Sequence, residues 1–424
     1  MNESPAPALS RDAPAPPVAN EFARGSPDRS GLLVVIVCAV GFAFDLSEIS
    51  FGAALSGVFA APPYSMRPEH LAWLLASVYI GAILGPPFMG AFADRHGRRI
   101  ALALTLAFLA VTSFGSAVSS GVFALSVMRG LSGIALGAYP PLMITLLTDV
   151  LPAQRRGRLI LVTVAIGYLG PPATIFLMRW LTELSPLGLE GWRWVIAIHG
   201  VGGLLAGAGF LALPESAEWR AAIATATARE LRSWRAVARV SALSFLAPWA
   251  TVTFPLLSAA FLVARGQTIS DTLLFVGIST FGPVVGSVIA ASVADRIERR
   301  TSLQVCALGM AICAVGFYAS AEPAWLMLTS FAFNLCVALY MPALTTYVAE
   351  QFPIQLRGRA SSLAWSANRI AAATVPLAIL PLLHGRGEGP VFGVIVGTLI
   401  LTSLLLAACG PVRAARGSGL EEGY

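Results

Sequence analysis

The chain has 424 residues, 56% of them hydrophobic and only 12% charged, with a mean hydropathy of +0.75. Soluble domains carry roughly 25% charged residues, so here apolar surface must face lipid as well as a core. All 28 basic residues are Arg and none is Lys, which excludes a P-loop ATPase, a pyridoxal Schiff base and a retinal-binding pump. The net charge of +6 does not mark a nucleic-acid partner, because the arginines stand singly or in short clusters between apolar runs. The five cysteines, Cys38, Cys306, Cys313, Cys336 and Cys409, fall inside apolar runs without a CxxC or Cys/His cluster. Neither a disulfide framework, a metal nor a cofactor is expected from them.

Residues 1–31, rich in Pro, Ser and Ala, read as a disordered cytoplasmic tail. Apolar segments then recur at 33–58, 70–92, 100–119, 122–148, 159–181 and 193–213, and again at 239–263, 270–293, 302–319, 323–349, 360–383 and 390–410. Each is long enough to cross a bilayer as a helix. The predicted fold is therefore an all-α membrane protein of twelve transmembrane helices. It has a six-helix bundle at 32–213, a charged cytoplasmic linker at 214–238, a second bundle at 239–410 and a tail at 411–424. An even number of spans puts both termini on one side. Assigning that side to the cytoplasm places 21 of the 28 arginines there, as the positive-inside rule requires.

The halves repeat one another. GAILGPPFMGAFADRHGRR at 81–99 lies over GPVVGSVIAASVADRIERR at 282–300, and YPPLMITLLTDVLPAQRRGR at 139–158 over YMPALTTYVAEQFPIQLRGR at 340–359, both at an offset of 201 residues. A duplicated six-helix unit is the plan of secondary transporters, which bind substrate between repeats near mid-membrane.

Specific motifs sharpen this. FADRHGRR after the second helix, RGLSGIALG in the fourth, PESAEW after the sixth and YVAEQFPIQLRGR after the tenth resemble the loop and helix motifs of the major facilitator superfamily. FAFDLSEIS in the first helix is similar to the segment shared by its sugar porters and its organic-acid or aromatic-acid proton symporters. The resemblance implies the twelve-helix fold of that family, a cell-membrane location such as the bacterial inner membrane, a monomer, and no enzymatic activity. It also implies a cytoplasmic gate. Asp94, Arg95, Arg98 and Arg99, with Asp149, would form a latch in which Asp94 faces a helix end of the other half and Arg98 pairs with Asp149. Asp295, Arg299, Glu350 and Arg357 would repeat it. The bland alternative is that these charges set topology only. Gly81, Gly85 and Gly90 suit close approach of the second helix to a neighbour.

Two acids stand near the middle of the first helix, where an ionisable group is costly and marks function. Asp45 and Glu48 are three residues apart and share one helix face. In low dielectric both cannot ionise cheaply, so one is a proton carrier candidate. Arg129, seven residues into the fourth helix, comes to a similar depth and is the natural partner; the alternative role is a permanent bridge that locks the bundle. In related symporters the acid at the Asp45 position is proton-linked. The organic-acid branch often has a second Asp three residues earlier, where this chain has Phe42.

Asn368 and Arg369 lie about 15 Å into the eleventh helix at ~1.5 Å per residue, too deep for the guanidinium to reach water easily. Arg369 is a candidate anion ligand, or else a structural Arg satisfied by helix carbonyls. Trp249, Asn334 and Tyr340 could line the same cavity or simply pack. His199 reads as structural. The expected activity is proton-coupled uptake of a small organic anion, such as an aromatic or aliphatic carboxylate, with a small molecule, protons and the lipid bilayer as partners. A sugar substrate is weaker, because SFLAPWATVTFPLL in the seventh helix lacks the glutamine-rich sugar-binding pattern. Export by antiport is an alternative, since Gly170-Pro171 resembles half of the antiporter motif, although Pro172, Ala173 and Thr174 depart from the rest. A non-transporting receptor of the same fold is the remote alternative.

Overall fold

The computed structural model describes residues 29–152, 155–213, 215, 234–293, 297–352 and 357–408. Among these, twelve helices are long and apolar enough to cross a membrane: Gly31–Ala60, Pro68–His96, Arg98–Ala117, Val122–Val150, Arg156–Leu184, Gly191–Leu211, Val237–Ala264, Ile269–Ala290, Arg299–Ala319, Pro323–Val348, Leu363–Arg386 and Glu388–Ala407. We refer to them as the first to twelfth spans. Helix is the form these runs must take, because lipid offers no partner to a free backbone N–H or C=O. The seventh span's helix already starts at Trp234, inside the predicted linker; nearly all the rest of that linker, and most of both tails, lie outside the described residues.

Three spans are not single helices. The fifth is Arg156–Gly167 followed by Gly170–Leu184, and the eighth is Ile269–Ser279 followed by Gly282–Val293. The seventh runs Trp234–Leu246, Pro248–Thr251 and Thr253–Ala264. In each case a proline, Pro171, Pro283 or Pro248, stands within the first two residues after a break. There its missing N–H costs nothing, whereas its ring would clash with a carbonyl one turn back in a continued helix.

The tightest pairing is between the second and fourth spans. A methyl group on Gly81 would collide with the Gly130 carbonyl, on Gly85 with that of Ile134, and on Gly133 and Gly137 with those of Val78 and Ala82. Glycine is needed there because backbone meets backbone. Gly90 has open space around it, which corrects the expectation of a third close approach.

The halves meet where the first span packs on the seventh, the second on the eleventh and the fifth on the eighth. One buried apolar cluster joins both halves, and a second, from Val34 to Leu213, fills the first half toward its arginine-rich end. At the opposite end the halves touch through Gly52 against Leu256 and Gly57 against Ala259, and Arg179 Nε donates to Ser270 Oγ at 3.0 Å.

Candidate functional site

The charged centre is built on the first span. Asp45 and Glu48 are 1% and 0% exposed, and Arg129, brought in by the fourth span, is 1% exposed. Arg129 forms an ion pair with the Glu48 carboxylate through Nη1 and donates from Nη2 to the Glu48 carbonyl at 3.0 Å. The two-pronged grip on side chain and backbone of one residue fixes the guanidinium plane. The acids are therefore divided: Glu48 takes the cation, while both carboxylate oxygens of Asp45 are buried without a hydrogen-bond partner.

Phe44, Glu48 and Phe51 recur on one face of the first span at spacings of four and three. His199 from the sixth span sits edge-on between the two rings, 5.0 Å from Phe44 and 4.9 Å from Phe51, and Arg129 stacks over Phe51 at 5.8 Å. His199 thus packs as expected, but its Nε2 is buried without a partner. Tyr79 of the second span, with Arg129, Gly52, Leu55 and Leu256, lines a cleft between the halves.

Arg369 reaches this centre from the other half. Its guanidinium lies 4.6 Å from the Trp365 ring centroid, its Nε is buried without a partner, and it interacts electrostatically with Asp45 and Tyr79. No hydrogen bond or ion pair to Arg369 is present among the described residues, so the carbonyl-satisfied alternative does not hold. Trp365 and Tyr79 escaped the sequence reading, because an aromatic one turn from an Arg and a Tyr in an apolar run have no signature of their own.

The other predicted cavity residues are placed in packing. Asn368 is buried and donates from Nδ2 to the Ser244 carbonyl at 3.1 Å, a tie between the eleventh and seventh spans. Asn334 donates to Ser330 of its own helix at 2.9 Å. Tyr340 is buried in the core, and Trp249 packs against it beside Phe245.

At the arginine-rich end, Arg98 pairs with Asp149, as the resemblance implied. Arg299 and Glu350, one repeat on, approach to 3.7 Å. The last arginine of each repeated block holds backbone at the end of a sixth helix: Arg99 Nη1 donates to Leu213 O at 2.7 Å, and Arg300 Nη2 to Ala407 O at 2.9 Å. Glu215 of the PESAEW motif accepts from the Arg98 and Arg99 amides at 3.1 and 3.3 Å. It caps the third span where free N–H groups and the helix dipole favour an anion, a role that residue type alone did not show. Gly97, at φ +98°, leaves room for this carboxylate. Asp94 and Arg95 are exposed at the same end; Asp295 and the side chain of Arg357 lie outside the described residues.

Comparison with known proteins agrees with this architecture. The profile of the Major Facilitator Superfamily matches residues 37–376 and 253–419. The D-xylose transporter of Levilactobacillus brevis is 26% identical over 83% of this chain and 85% of its own. The niacin transporter NiaP of Acinetobacter baylyi is 24% identical over 91% and 94%. Among solved structures, the inward-open xylose transporter XylE from E. coli superposes with a TM-score of 0.74 at 19% identity, covering 91% of this chain and 97% of that one. The chain belongs to the Major Facilitator Superfamily and is a multi-pass membrane transporter.

Proposed function

We propose that the protein is a proton-coupled symporter that takes up a small organic anion by alternating access of its two halves, acting as a monomer. The observation that carries this is Arg369. A guanidinium at mid-span is costly unless something neutralises it, and among the described residues the second half has no mid-span Asp or Glu. A substrate carboxylate supplies the missing charge. The niacin transporter among its relatives supports the reading, since niacin is an aromatic monocarboxylic acid. Asp45 is the proton carrier, with Glu48 and Arg129 as its fixed surroundings. The arginine-rich end is cytoplasmic, and Asp94, Arg98, Asp149, Arg299 and Glu350 form the gate there.

A sugar substrate is the second reading, favoured by the D-xylose transporter among the relatives. A neutral sugar gives Arg369 no counter-charge, which ranks that reading lower. The test is uptake by the purified protein in liposomes under an inward proton gradient. Nicotinate or benzoate accumulates above protein-free liposomes and D-xylose does not. Accumulation of D-xylose alone overturns the anion assignment.

A further inference from the structure

This inference rests on alternating access of the two halves and on no particular substrate. At the end remote from the arginines, the second segment of the fifth span, Gly170–Leu184, packs on the first segment of the eighth, Ile269–Ser279. Phe176, Arg179 and Glu183 recur on one face of the former at spacings of three and four, and Ser270 and Gly277 lie seven residues apart on one face of the latter. Deeper in this seam the Phe176 ring seats on Gly277, where a methyl group would lie 3.1 Å from it. Nearer the surface the Ser270 hydroxyl accepts from Arg179 Nε at 3.0 Å and donates to Glu183 Oε1, while Arg179 and Glu183 approach to 3.4 Å within their own helix. Among the described residues, the hydrogen bonds that cross between the halves at this end run through that one hydroxyl. The duplication does not repeat the triplet. In the repeat register Ser270 falls on Glu69, and Arg179 and Glu183 fall on Leu380 and His384.

We propose that Arg179, Ser270 and Glu183 form a latch that holds this end shut, in which the Ser270 hydroxyl of one half is inserted into an ion pair that belongs wholly to the other. When the halves part, Arg179 and Glu183 keep one another across a single helix turn, and the hydroxyl passes to water. No charge loses its partner, whereas a bridge with one charge on each half would leave two charges to be solvated anew. Release therefore costs two hydrogen bonds to charged groups, weakened by solvent because the two side chains are 32% and 53% exposed. A latch of that strength favours the closed state without trapping the carrier in it. Because the triplet stands on the fifth–eighth seam alone, it biases the balance between the two end states in one direction.

The full-length protein in lipid nanodiscs tests this, with spin labels attached through a ketone-bearing amino acid in place of Leu187 and of Ala264, so that the native cysteines stay as they are. Both sites are exposed and stand on opposite halves at this end. Double electron–electron resonance then reads the ratio of long to short label distances, which is the ratio of open to closed molecules. Ser270→Ala raises that ratio roughly tenfold, whereas Ser270→Thr, which keeps a hydroxyl, leaves it at the wild-type value. Arg179→Ala raises the ratio when Ser270 is present and adds nothing in Ser270→Ala, since the two residues act through one contact. An unchanged ratio in Ser270→Ala overturns the latch, as do Ala and Thr variants that behave alike. So does an Arg179→Ala effect of equal size with and without the hydroxyl. One short distance in every variant, with nicotinate or D-xylose added or withheld, means that this end does not open and removes alternating access itself. None of these readings depends on uptake, so loss of the organic-anion assignment leaves them in place.

Discussion

The two halves share a fold and differ in their buried charge. In the first half, a cation and an acid meet in a closed pair, Arg129 with Glu48. In the second, Arg369 forms no ion pair or hydrogen bond among the described residues and lies over the Trp365 ring. The repeat register brings Ser330 opposite Arg129 and Tyr168 opposite Arg369, so neither charge has a duplicate. Duplication preserved packing and the positions of the charges at the arginine-rich end, whereas the buried charges of the centre are distributed once over the whole molecule. A pair within one half can rigidify that half; an unmatched charge at the boundary is free to respond to a ligand.

The largest expected effect separates a paired from an unpaired cation. Glu48→Gln leaves Arg129 buried without a counter-charge and costs about 3–5 kcal/mol, seen as a large drop in thermal midpoint and yield in detergent. Arg369→Ala removes a guanidinium that makes no ion pair or hydrogen bond among the described residues and only stacks on Trp365, and is expected to leave the midpoint unchanged or raised. Equal losses in the two variants would erase the distinction between the halves.

Next in size is the proposed gate at the arginine-rich end. The Arg98–Asp149 pair is mostly buried and is flanked by the Glu215 cap, whereas Arg299–Glu350 is longer and more exposed. Asp149→Asn is expected to lower uptake several-fold, and Glu350→Gln to change stability by no more than ~0.5 kcal/mol, as for exposed pairs. Labelling of single cysteines at the arginine-rich end checks it: more labelling in the Asp149 variant than in the Glu350 variant is the predicted order.

The smallest effect lies at the opposite end. Arg265 grips Glu388 through Nε at 3.1 Å and Nη2 at 2.6 Å, whereas Arg193 meets the more exposed Glu190 through Nε at 2.7 Å. Burial pushes the Glu190 carboxyl up, but the Tyr64 hydroxyl, backbone and Arg193 outweigh it and hold it below the usual range. Its contribution is then present above the unfolded carboxyl value of about 4.3 and is lost as pH falls through the lowered folded value. Glu190→Gln should flatten the acid limb of the melting profile slightly and leave the profile above pH 5 unchanged.

Much of this was legible in the sequence because lipid imposes a simple rule. Long apolar runs must be helices, and the constant offset of 201 residues exposes the repeat. The breaks in the fifth, seventh and eighth spans were not legible, since Pro86, Pro87, Pro140 and Pro141 sit inside unbroken helices. Proline marks a possible break, and tertiary packing decides. Depth in the helix pointed to Asp45, Glu48, Arg129 and Arg369, but Asp45 and Glu48 lie on one face at nearly one depth. Which of them Arg129 chooses depends on side-chain reach between helices, and no spacing encodes that. Asn368 adjoins Arg369 in sequence, yet the helical twist directs it to the Ser244 carbonyl.

The central claim is that Arg369 binds a substrate carboxylate. Titration calorimetry of the purified protein with nicotinate and with nicotinamide, in wild type and in Arg369→Ala, tests it most directly. A charge-assisted hydrogen-bonded contact is worth about 1.5–3 kcal/mol, or roughly 10- to 100-fold. Wild type should prefer the acid over the amide by that factor, and the Ala variant should lose the preference. Equal binding of acid and amide by wild type would make Arg369 a structural residue and remove the organic-anion assignment with it.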